Sequence, residues 1–355
     1  MLASKTGAGT RPNPPAGPAA AVAAVLVVVI GVSVIGLNGF GRSSSSTGAL
    51  SGAPQLAAGP AGAFGRVPTP VFDANSRSQV VPQAGASNPD LAPAPASSAS
   101  AGLTWTGQFT LSISSAPVFR YQEPSSNAAD QFASGLGAVL QGRPAGFLGT
   151  YETSDYTLRV RGTIQAPPSA PAYFILSAPN IASISAAGAA PEDLAALFLA
   201  EHSLSPQWPY AVLVDTSNPP LTKVRLIRQF VAPGYGPANL VDSNGSPYGL
   251  EVDFNGAQPV LASGPFPVGL ESADYQLISF DQAVRNALAS SSPSAALPPT
   301  PAVQLTKAEL VYVLTPAGDH SFYEPAFLFS GNFKVNGVTY EKRVLVPAID
   351  PSQLS

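Results

Sequence analysis

Two aspartates stand where paired carboxylates could do chemistry. Asp215 and Asp242 each follow a short apolar run and precede a hydroxyl residue. Two aspartates that share one proton can activate water for hydrolysis, as in aspartic proteases. That arrangement needs glycine two residues after each aspartate, but Ser217 and Asn244 occupy those positions. The two aspartates are also only about 27 residues apart, too close for two equivalent lobes, so we predict that both start turns.

The histidines and the other acidic residues predict no further reaction. His202 comes near the end of a predicted helix, and His320 lies in a turn-like sequence. The chain has no Gly-x-Ser-x-Gly elbow, phosphate loop or His-Glu-x-x-His motif. Asp242, Glu251 and Asp253 could ligate calcium, but no loop has the alternating oxygen ligands that calcium needs. We therefore predict no catalytic, cofactor-binding or metal-binding residues.

Aromatic side chains offer a different kind of site. We predict that Trp105, Trp208 and Tyr235 pack in the core or at a sheet edge. If several of them share one exposed face, that face would bind a glycan or a peptide, because aromatic rings supply large, stiff contact surfaces. An aromatic groove between subdomains would make the chain a binder of cell-wall polymer or of a small ligand.

The composition excludes several classes of protein. The chain has 355 residues and no cysteine, so it has no disulfide framework, thiolate zinc site, iron–sulfur cluster or cysteine nucleophile. Charged residues make up 11% of it, against roughly 25% in typical soluble domains. A net charge of −4 argues against a general nucleic-acid binder. The richness in alanine, proline and glycine is typical of bacteria with GC-rich genomes.

A long apolar run near the N-terminus predicts a single membrane-spanning helix. The run begins at Ala19 and ends at Leu37, and about 19 residues of helix span roughly 28 Å, close to the thickness of the bilayer interior. The alternative, a cleaved signal peptide, has a shorter apolar core and a small-x-small cleavage site. Lys5 and Arg11 precede the run, so we predict that residues 1–18 form a cytoplasmic tail and that the C-terminal part is extracytoplasmic.

Low-complexity stretches predict the domain boundaries. Residues 38–103 are predicted to form a disordered tether, because alanine, glycine, proline and serine supply about 40 of the roughly 60 residues from Arg42 onward. Such a chain has a root-mean-square reach of roughly 40–45 Å and would hold a folded part off the membrane. A Pro/Ser-rich stretch, residues 290–302, is predicted to link an α+β region at 104–289 to a β-rich subdomain at 303–355.

Strand patterns dominate the predicted folded region. Residues 108–113 and 157–164 alternate polar and apolar side chains, which predicts half-buried strands. Asn336-Gly337 between two alternating segments predicts a hairpin. Three single helices are predicted, at residues 126–140, 191–202 and 279–288. The fold class is therefore α+β, rich in antiparallel sheet, and the recurring order of one helix followed by strands predicts two or three related subdomains.

A set of short phrases near the C-terminus supports a family resemblance. A helix that opens with Ser-Phe-x-x-Ala, within residues 275–283, is followed by Ala-Glu-Leu-Val-Tyr at 308–312 and by Pro-x-Phe-x-Phe within 323–329. This order resembles the PepSY-like units of extracytoplasmic regulators of the YycH/YycI type. The resemblance is best over the final quarter of the chain. At the N-terminus it is limited to the shared architecture of a single membrane anchor. It implies a single-span bacterial envelope protein whose outer domain modulates a sensor kinase and has no catalytic residues.

Together these features predict a membrane-anchored, extracytoplasmic and non-catalytic domain that binds a protein partner in the bacterial envelope. Its effect would be regulatory or scaffolding. The alternative is binding of cell-wall polymer or of a small ligand. An envelope hydrolase is a third and less favoured hypothesis, which a pocket joining Asp215 or Asp242 to a histidine would support.

Overall fold

A computed structural model gives the architecture of the chain beyond the predicted anchor. The described residues are 59–72, 78–82, 102–109, 111, 113–166, 169–178, 180–184, 188–289, 302–335 and 338–355. They belong to one compact unit. No helix among them is long and apolar enough to cross a membrane. The predicted cytoplasmic tail, residues 1–18, and the predicted span, residues 19–37, lie outside them.

Three α-helices occur in these residues, and each confirms a predicted one. They are α1 (Ser126–Gly135), α2 (Pro191–Glu201) and α3 (Phe280–Ala289). The Ser125 hydroxyl caps α1 by accepting from the Ala128 N–H at 3.2 Å, and the Ser279 hydroxyl accepts from the Gln282 N–H at 3.2 Å. Helix α1 ends before the predicted residue 140, because Gly137 takes a left-handed φ of +72° there.

The same described residues form seventeen strands. In chain order these are β1 (Ser78–Pro82), β2 (Leu103–Trp105), β3 (Ser115–Gln122), β4 (Val139–Gly142), β5 (Gly149–Glu152), β6 (Thr157–Arg161), β7 (Tyr173–Ser177), β8 (Tyr210–Asn218), β9 (Leu221–Ala232), β10 (Gly236–Val241), β11 (Gly249–Asn255), β12 (Gln258–Pro265), β13 (Glu271–Gln276), β14 (Val303–Leu305), β15 (Lys307–Ala317), β16 (His320–Val335) and β17 (Val338–Pro347). The predicted strand at 157–164 is confirmed as β6, whereas the described residues of 108–113 form no strand.

The first group of strands, which we call the N-lobe sheet, has eight members, all antiparallel to their neighbours. Their spatial order is β4-β5-β6-β7-β12-β11-β9-β8. Helices α1 and α2 pack on one face, where Leu158, Phe198 and Val252 belong to a shared apolar core. Because successive side chains of a strand point to opposite faces, the alternate positions place Arg225 and Glu251 on the other face.

The second group, which we call the C-lobe sheet, contains β1, β17, β16, β15 and β10 in that spatial order. The first part of β16 also pairs with β3, and β3 pairs in turn with β13. Helix α3 and the short pair β2–β14 cover one face over a core that includes Tyr312, Phe327 and Phe329. Strands β10 and β15 run parallel, and so do β2 and β14. The C-lobe sheet is therefore mixed, although most of the pairings among the described strands are antiparallel as predicted.

A segment from the predicted tether covers the other face of the C-lobe sheet. Residues 59–72, which we call the cover segment, place Val67 and Phe72 in two apolar clusters on that face. The Val67 N–H donates to the Gln353 carbonyl at 3.0 Å, and the Ser355 N–H donates to the Val67 carbonyl at 2.8 Å. Further on, β1 pairs with β17. The prediction of a disordered tether over 38–103 is therefore wrong for residues 59–72, Ser78–Pro82 and Leu103.

The recurring order of one helix followed by a meander is present. Helix α1 precedes β4 to β7, α2 precedes β8, β9, β11 and β12, and α3 precedes β15 to β17. Since β7 and β12 are neighbours, the first two meanders extend in opposite directions from the centre of the N-lobe sheet. The predicted boundary at 290–302 does not separate two folded units, because β3, before it, pairs with β16, after it. Strands β16 and β17 pair as the predicted hairpin requires, with Val335 opposite Val338.

One carboxyl group is buried beneath the cover segment. Glu324 on β16 is fully buried, and strand alternation puts it on the same face as Phe322 and Ala326, which contact the cover-segment clusters. Neither carboxyl oxygen has a hydrogen-bond partner within the described residues. Burial raises the pKa of Glu324 well above its ordinary value of 4.5. The side chain is therefore held in its neutral form as the pH rises past 4.5.

We expect Glu324→Gln to flatten the dependence of stability on pH. Above pH 4.5 the unfolded wild type has released this proton and the folded protein retains it. The free energy of unfolding therefore falls as the pH rises, by up to about 1.4 kcal/mol per pH unit, until the folded-state pKa is passed. Urea unfolding at pH 5, 6, 7 and 8 should show the glutamine variant gaining on the wild type as the pH rises, until the folded-state pKa is passed. Parallel stability curves would contradict the assignment.

Candidate ligand-binding site

A cavity of about 220 Å³ lies between the two lobes. The core of the N-lobe lines it with Phe132, Phe174 and Phe266, and the core of the C-lobe lines it with Phe119 and Phe230. These rings pack against one another: the Phe132 centroid lies 5.4 Å from that of Phe174 and 5.1 Å from that of Phe266, and the Phe119 and Phe230 centroids are 4.6 Å apart. The walls are thus apolar and braced by the two cores, as in sites for small molecules.

The mouth of the cavity lies at the loop of residues 203–209, which joins α2 to β8. The loop starts with Ser203 at a φ of +53°, a left-handed conformation that non-glycine residues rarely adopt. It carries Trp208, whose ring lies 6.1 Å from that of Tyr210. On the other side, Val268 packs against both apolar cores. A molecule in the cavity would therefore touch a loop and both lobes together.

One charged side chain, Arg228, lines the cavity. It is only 6% exposed, and its guanidinium carbon lies 4.9 Å from the Phe230 ring centre, 5.4 Å from that of Tyr323 and 5.5 Å from that of Trp208. Within the described residues the guanidinium has neither an ion pair nor a hydrogen bond, and its Nε is fully enclosed. Burial lowers the pKa of Arg228, an effect that Tyr323 and Tyr121 oppose. A cation in this setting lacks the anion that buried cations normally have.

Strand β9 explains why an arginine stands there. Lys223 and Arg225 fall on the open face of the N-lobe sheet, where both pair with Glu251. Arg228 instead lies on the same face of the strand as Leu226 and Phe230, two alternate residues that belong to the apolar cores. It also stands where the strand changes partner, since residues up to 227 pair with β11 and residues from 229 pair with β10. The sequence signal was a cation at a core-facing position, which our prediction of no site residues overlooked.

Asp242 starts a turn, as predicted, whereas Asp215 lies within strand β8, at an irregularity in its pairing with β9. The Asp215 carboxylate accepts from the Ser217 N–H at 2.8 Å, and Asp242 accepts from the N–H groups of Asn244 and Ser246 at 2.8 and 2.9 Å. Hydrogen bonds from Ser217 hold the pKa of Asp215 below its usual range, whereas burial raises the pKa of Asp242. Neither aspartate lines the cavity, and in the described residues neither is bonded to a histidine. Within the described residues, the cavity therefore does not join Asp215 or Asp242 to a histidine, which is the arrangement that would have supported a hydrolase.

The histidines lie in unrelated surroundings. His202 packs against the rings of Phe198 and Tyr156, at centroid distances of 4.7 and 6.1 Å, and burial lowers its pKa. His320 faces Asp319, with Nδ1 and Oδ1 2.9 Å apart. Neither ring lines the cavity. The structure therefore gives both histidines local packing or pairing roles.

Two of the three acidic residues considered for calcium, Glu251 and Asp253, are engaged by cations. Glu251 pairs with Lys223 and Arg225, and the Asp253 carboxylate lies 3.4 Å from the Lys223 ammonium. Across the described residues, no group of three or more histidine, aspartate or glutamate side chains is placed to hold a metal ion.

The three aromatic candidates do not share a face. Trp105 packs against Phe280 and Phe329 in the C-lobe core, and the Tyr235 hydroxyl accepts from a β15 backbone N–H at 3.1 Å. Only Trp208 among the three lines the cavity. The exposed aromatic face considered as an alternative is therefore not formed by these three residues, and the cavity is built mainly from phenylalanines that the sequence analysis did not single out.

Comparisons with known proteins identify no family. No family model matches the chain, and no curated protein matches it. Among solved structures, the chain is similar to an uncharacterized protein from Eubacterium rectale, at 9% identity and a TM-score of 0.33, over 69% of this chain and 87% of that one. It is also similar to the YpeB C-terminal domain of Bacillus megaterium, at 11% identity and a TM-score of 0.23, over 66% of this chain and 96% of that one. Scores this low carry no argument about function.

Proposed function

We propose that the folded part of this chain is a non-catalytic binding domain whose cavity between the two lobes takes up a small, largely apolar molecule. The observation that carries the proposal is the cavity itself, walled by aromatic side chains from both cores and closed by the 203–209 loop. An apolar cavity of about 150 Å³ can hold benzene. A cavity of about 220 Å³ therefore suits a ligand somewhat larger than one ring.

Such a ligand would act as a regulator, because it touches both lobes and the loop that leads into β8. Strand β8 is an edge of the N-lobe sheet, and its apolar side chains Val212 and Leu213 are 47% and 44% exposed. An exposed edge strand is a ready surface for pairing with another protein. Our proposal therefore includes a membrane-anchored extracytoplasmic location and an envelope protein partner. The affinity for that partner would depend on whether the cavity holds a ligand.

Tryptophan fluorescence tests the proposal. The chain has two tryptophans, so Trp105→Phe leaves Trp208, at the cavity mouth, as the reporter. The full chain in phosphatidylcholine liposomes would be titrated with octanoate and with octan-1-ol. We expect at least one probe to change the Trp208 emission saturably.

A cavity-filling variant separates cavity binding from surface binding. Val268→Phe adds bulk at a residue that lines the cavity, and we expect it to weaken the binding at least about tenfold. The matched control, Val212→Phe on exposed β8, should leave binding unchanged. Absence of a saturable change with both probes, or equal binding by Val268→Phe and the control, would refute the proposal.

A further inference from the structure

The unpaired arginine gives the cavity a chemical preference that its walls alone would not have. Among the residues that line the cavity, Arg228 is the one that carries a charge, and within the described residues nothing accepts a hydrogen bond from its guanidinium. The rings of Phe230, Tyr323 and Trp208 surround it at 4.9–5.5 Å. Aromatic rings contact the faces of a guanidinium, whereas its N–H groups point outward in the plane. Since Nε is fully enclosed, the terminal N–H groups are the donors left for a partner that enters the cavity.

We propose that the cavity selects molecules that carry one carboxylate on an apolar body, with the carboxylate seated against Arg228; this inference rests on the proposed function. A carboxylate matches the guanidinium fork with two parallel hydrogen bonds. The apolar body lies against the phenylalanine walls. The ligand class is therefore a short amphiphilic acid.

The charge count favours a carboxylate over a phosphate monoester. One guanidinium neutralises one negative charge, and the other polar residues that line the cavity are neutral serines and glutamines. Of these, Gln229 already donates to the Asn239 side chain at 3.0 Å. A phosphate monoester carries nearly two charges at neutral pH and would leave one of them uncompensated in an apolar setting. A neutral alcohol would leave the arginine without a partner.

Four probes with the same eight-carbon chain test the headgroup. Octanoate, octan-1-ol, octylammonium and octyl phosphate would be titrated into the full chain in phosphatidylcholine liposomes, with Trp208 as reporter. We expect octanoate to bind at least about tenfold more tightly than octan-1-ol, because charge-assisted hydrogen bonds to a buried arginine add to the shared apolar contact. Octyl phosphate should bind less tightly than octanoate, and octylammonium least of all.

Variants of the arginine assign the preference to one residue. Arg228→Met should bring the octanoate to octan-1-ol ratio to about one while octan-1-ol still binds, and Arg228→Lys should keep part of the preference because the charge remains without the fork. The control is Arg225→Met, three residues away on the same strand but on the open face. It should behave as the wild type does.

The possible failures are distinguishable. If octan-1-ol binds as tightly as octanoate, or if Arg228→Met keeps the preference, the carboxylate inference is wrong and the binding proposal survives. If octyl phosphate binds most tightly, the ligand class is a phosphate. If no probe binds, both proposals are overturned.

Discussion

Replacing Val67 with aspartate is expected to lower the free energy of unfolding by about 4 kcal/mol. Val67 is fully buried in a cluster with Val118, Tyr275 and Phe322 on the face of the C-lobe sheet that the cover segment occupies. An aspartate there would lose the apolar contact and place a charge where no cation is paired with it.

The cover segment itself offers a matched control. Val71, four residues along, is 70% exposed. Val71→Asp should therefore change the free energy of unfolding by less than about 0.5 kcal/mol. Urea unfolding of the full chain, followed by tryptophan fluorescence, measures both variants. If Val67→Asp were as stable as Val71→Asp, the cover segment would not be docked on the sheet.

Replacing Arg228 with methionine is expected to make the ligand-free protein more stable, by about 1–3 kcal/mol. Transfer of a charged side chain from water into the protein interior costs several kcal/mol. Each cation–π contact with one of the three aromatic rings offsets roughly 0.5–2 kcal/mol of that cost. The lowered pKa of Arg228 indicates that burial outweighs the help from the neighbouring tyrosines. Methionine fills similar space without a charge.

This gain in stability should come with a loss of octanoate binding. Residues kept for a ligand often cost stability when the ligand is absent, so opposite effects on stability and binding would mark Arg228 as functional. Urea unfolding at pH 7 without ligand is the measurement. Arg225→Met, which breaks an ion pair with Glu251, should be no more stable than the wild type. If Arg228→Met were destabilised instead, Arg228 would be a structural residue held by its aromatic neighbours.

Local signals predicted the helices and much of the sheet. Each helix has a cap or a proline at its start, and these act within a few residues of sequence. The alternation along β6 and the Asn336-Gly337 hairpin depend likewise on neighbours in the chain. Such features are readable because their cause lies within one element.

Long-range packing was not readable in the same way. The average composition of residues 38–103 predicts disorder, yet Val67 shares a cluster with Leu354 and Phe72 shares one with Leu345, in each case more than 250 residues away along the chain. Conversely, the alternation at 108–113 predicts a strand, but Phe109 packs against Phe280 from a segment without regular structure. In both cases tertiary contacts decided the outcome over local pattern.

The candidate site was predictable only in kind. An aromatic groove between subdomains was one of the alternatives, and Trp208 was among its candidate residues. The cavity, however, combines Phe132 and Phe266 from the N-lobe with Phe119 and Phe230 from the C-lobe, and these meet only when the two lobes come together. The sequence analysis did not single out Arg228, because its inward position depends on the register of β9.

Photolabelling tests the central claim, that the cavity holds an amphiphilic acid, most directly. The full chain in phosphatidylcholine liposomes would be irradiated with a diazirine analogue of octanoate, and the labelled residues would be mapped by mass spectrometry with and without excess octanoate. We predict that the label removed by competition falls on the 203–209 loop and on residues 265–270, and that Arg228→Met reduces it at equal probe concentration. Competable labelling confined to other parts of the chain, or none at all, would contradict the account.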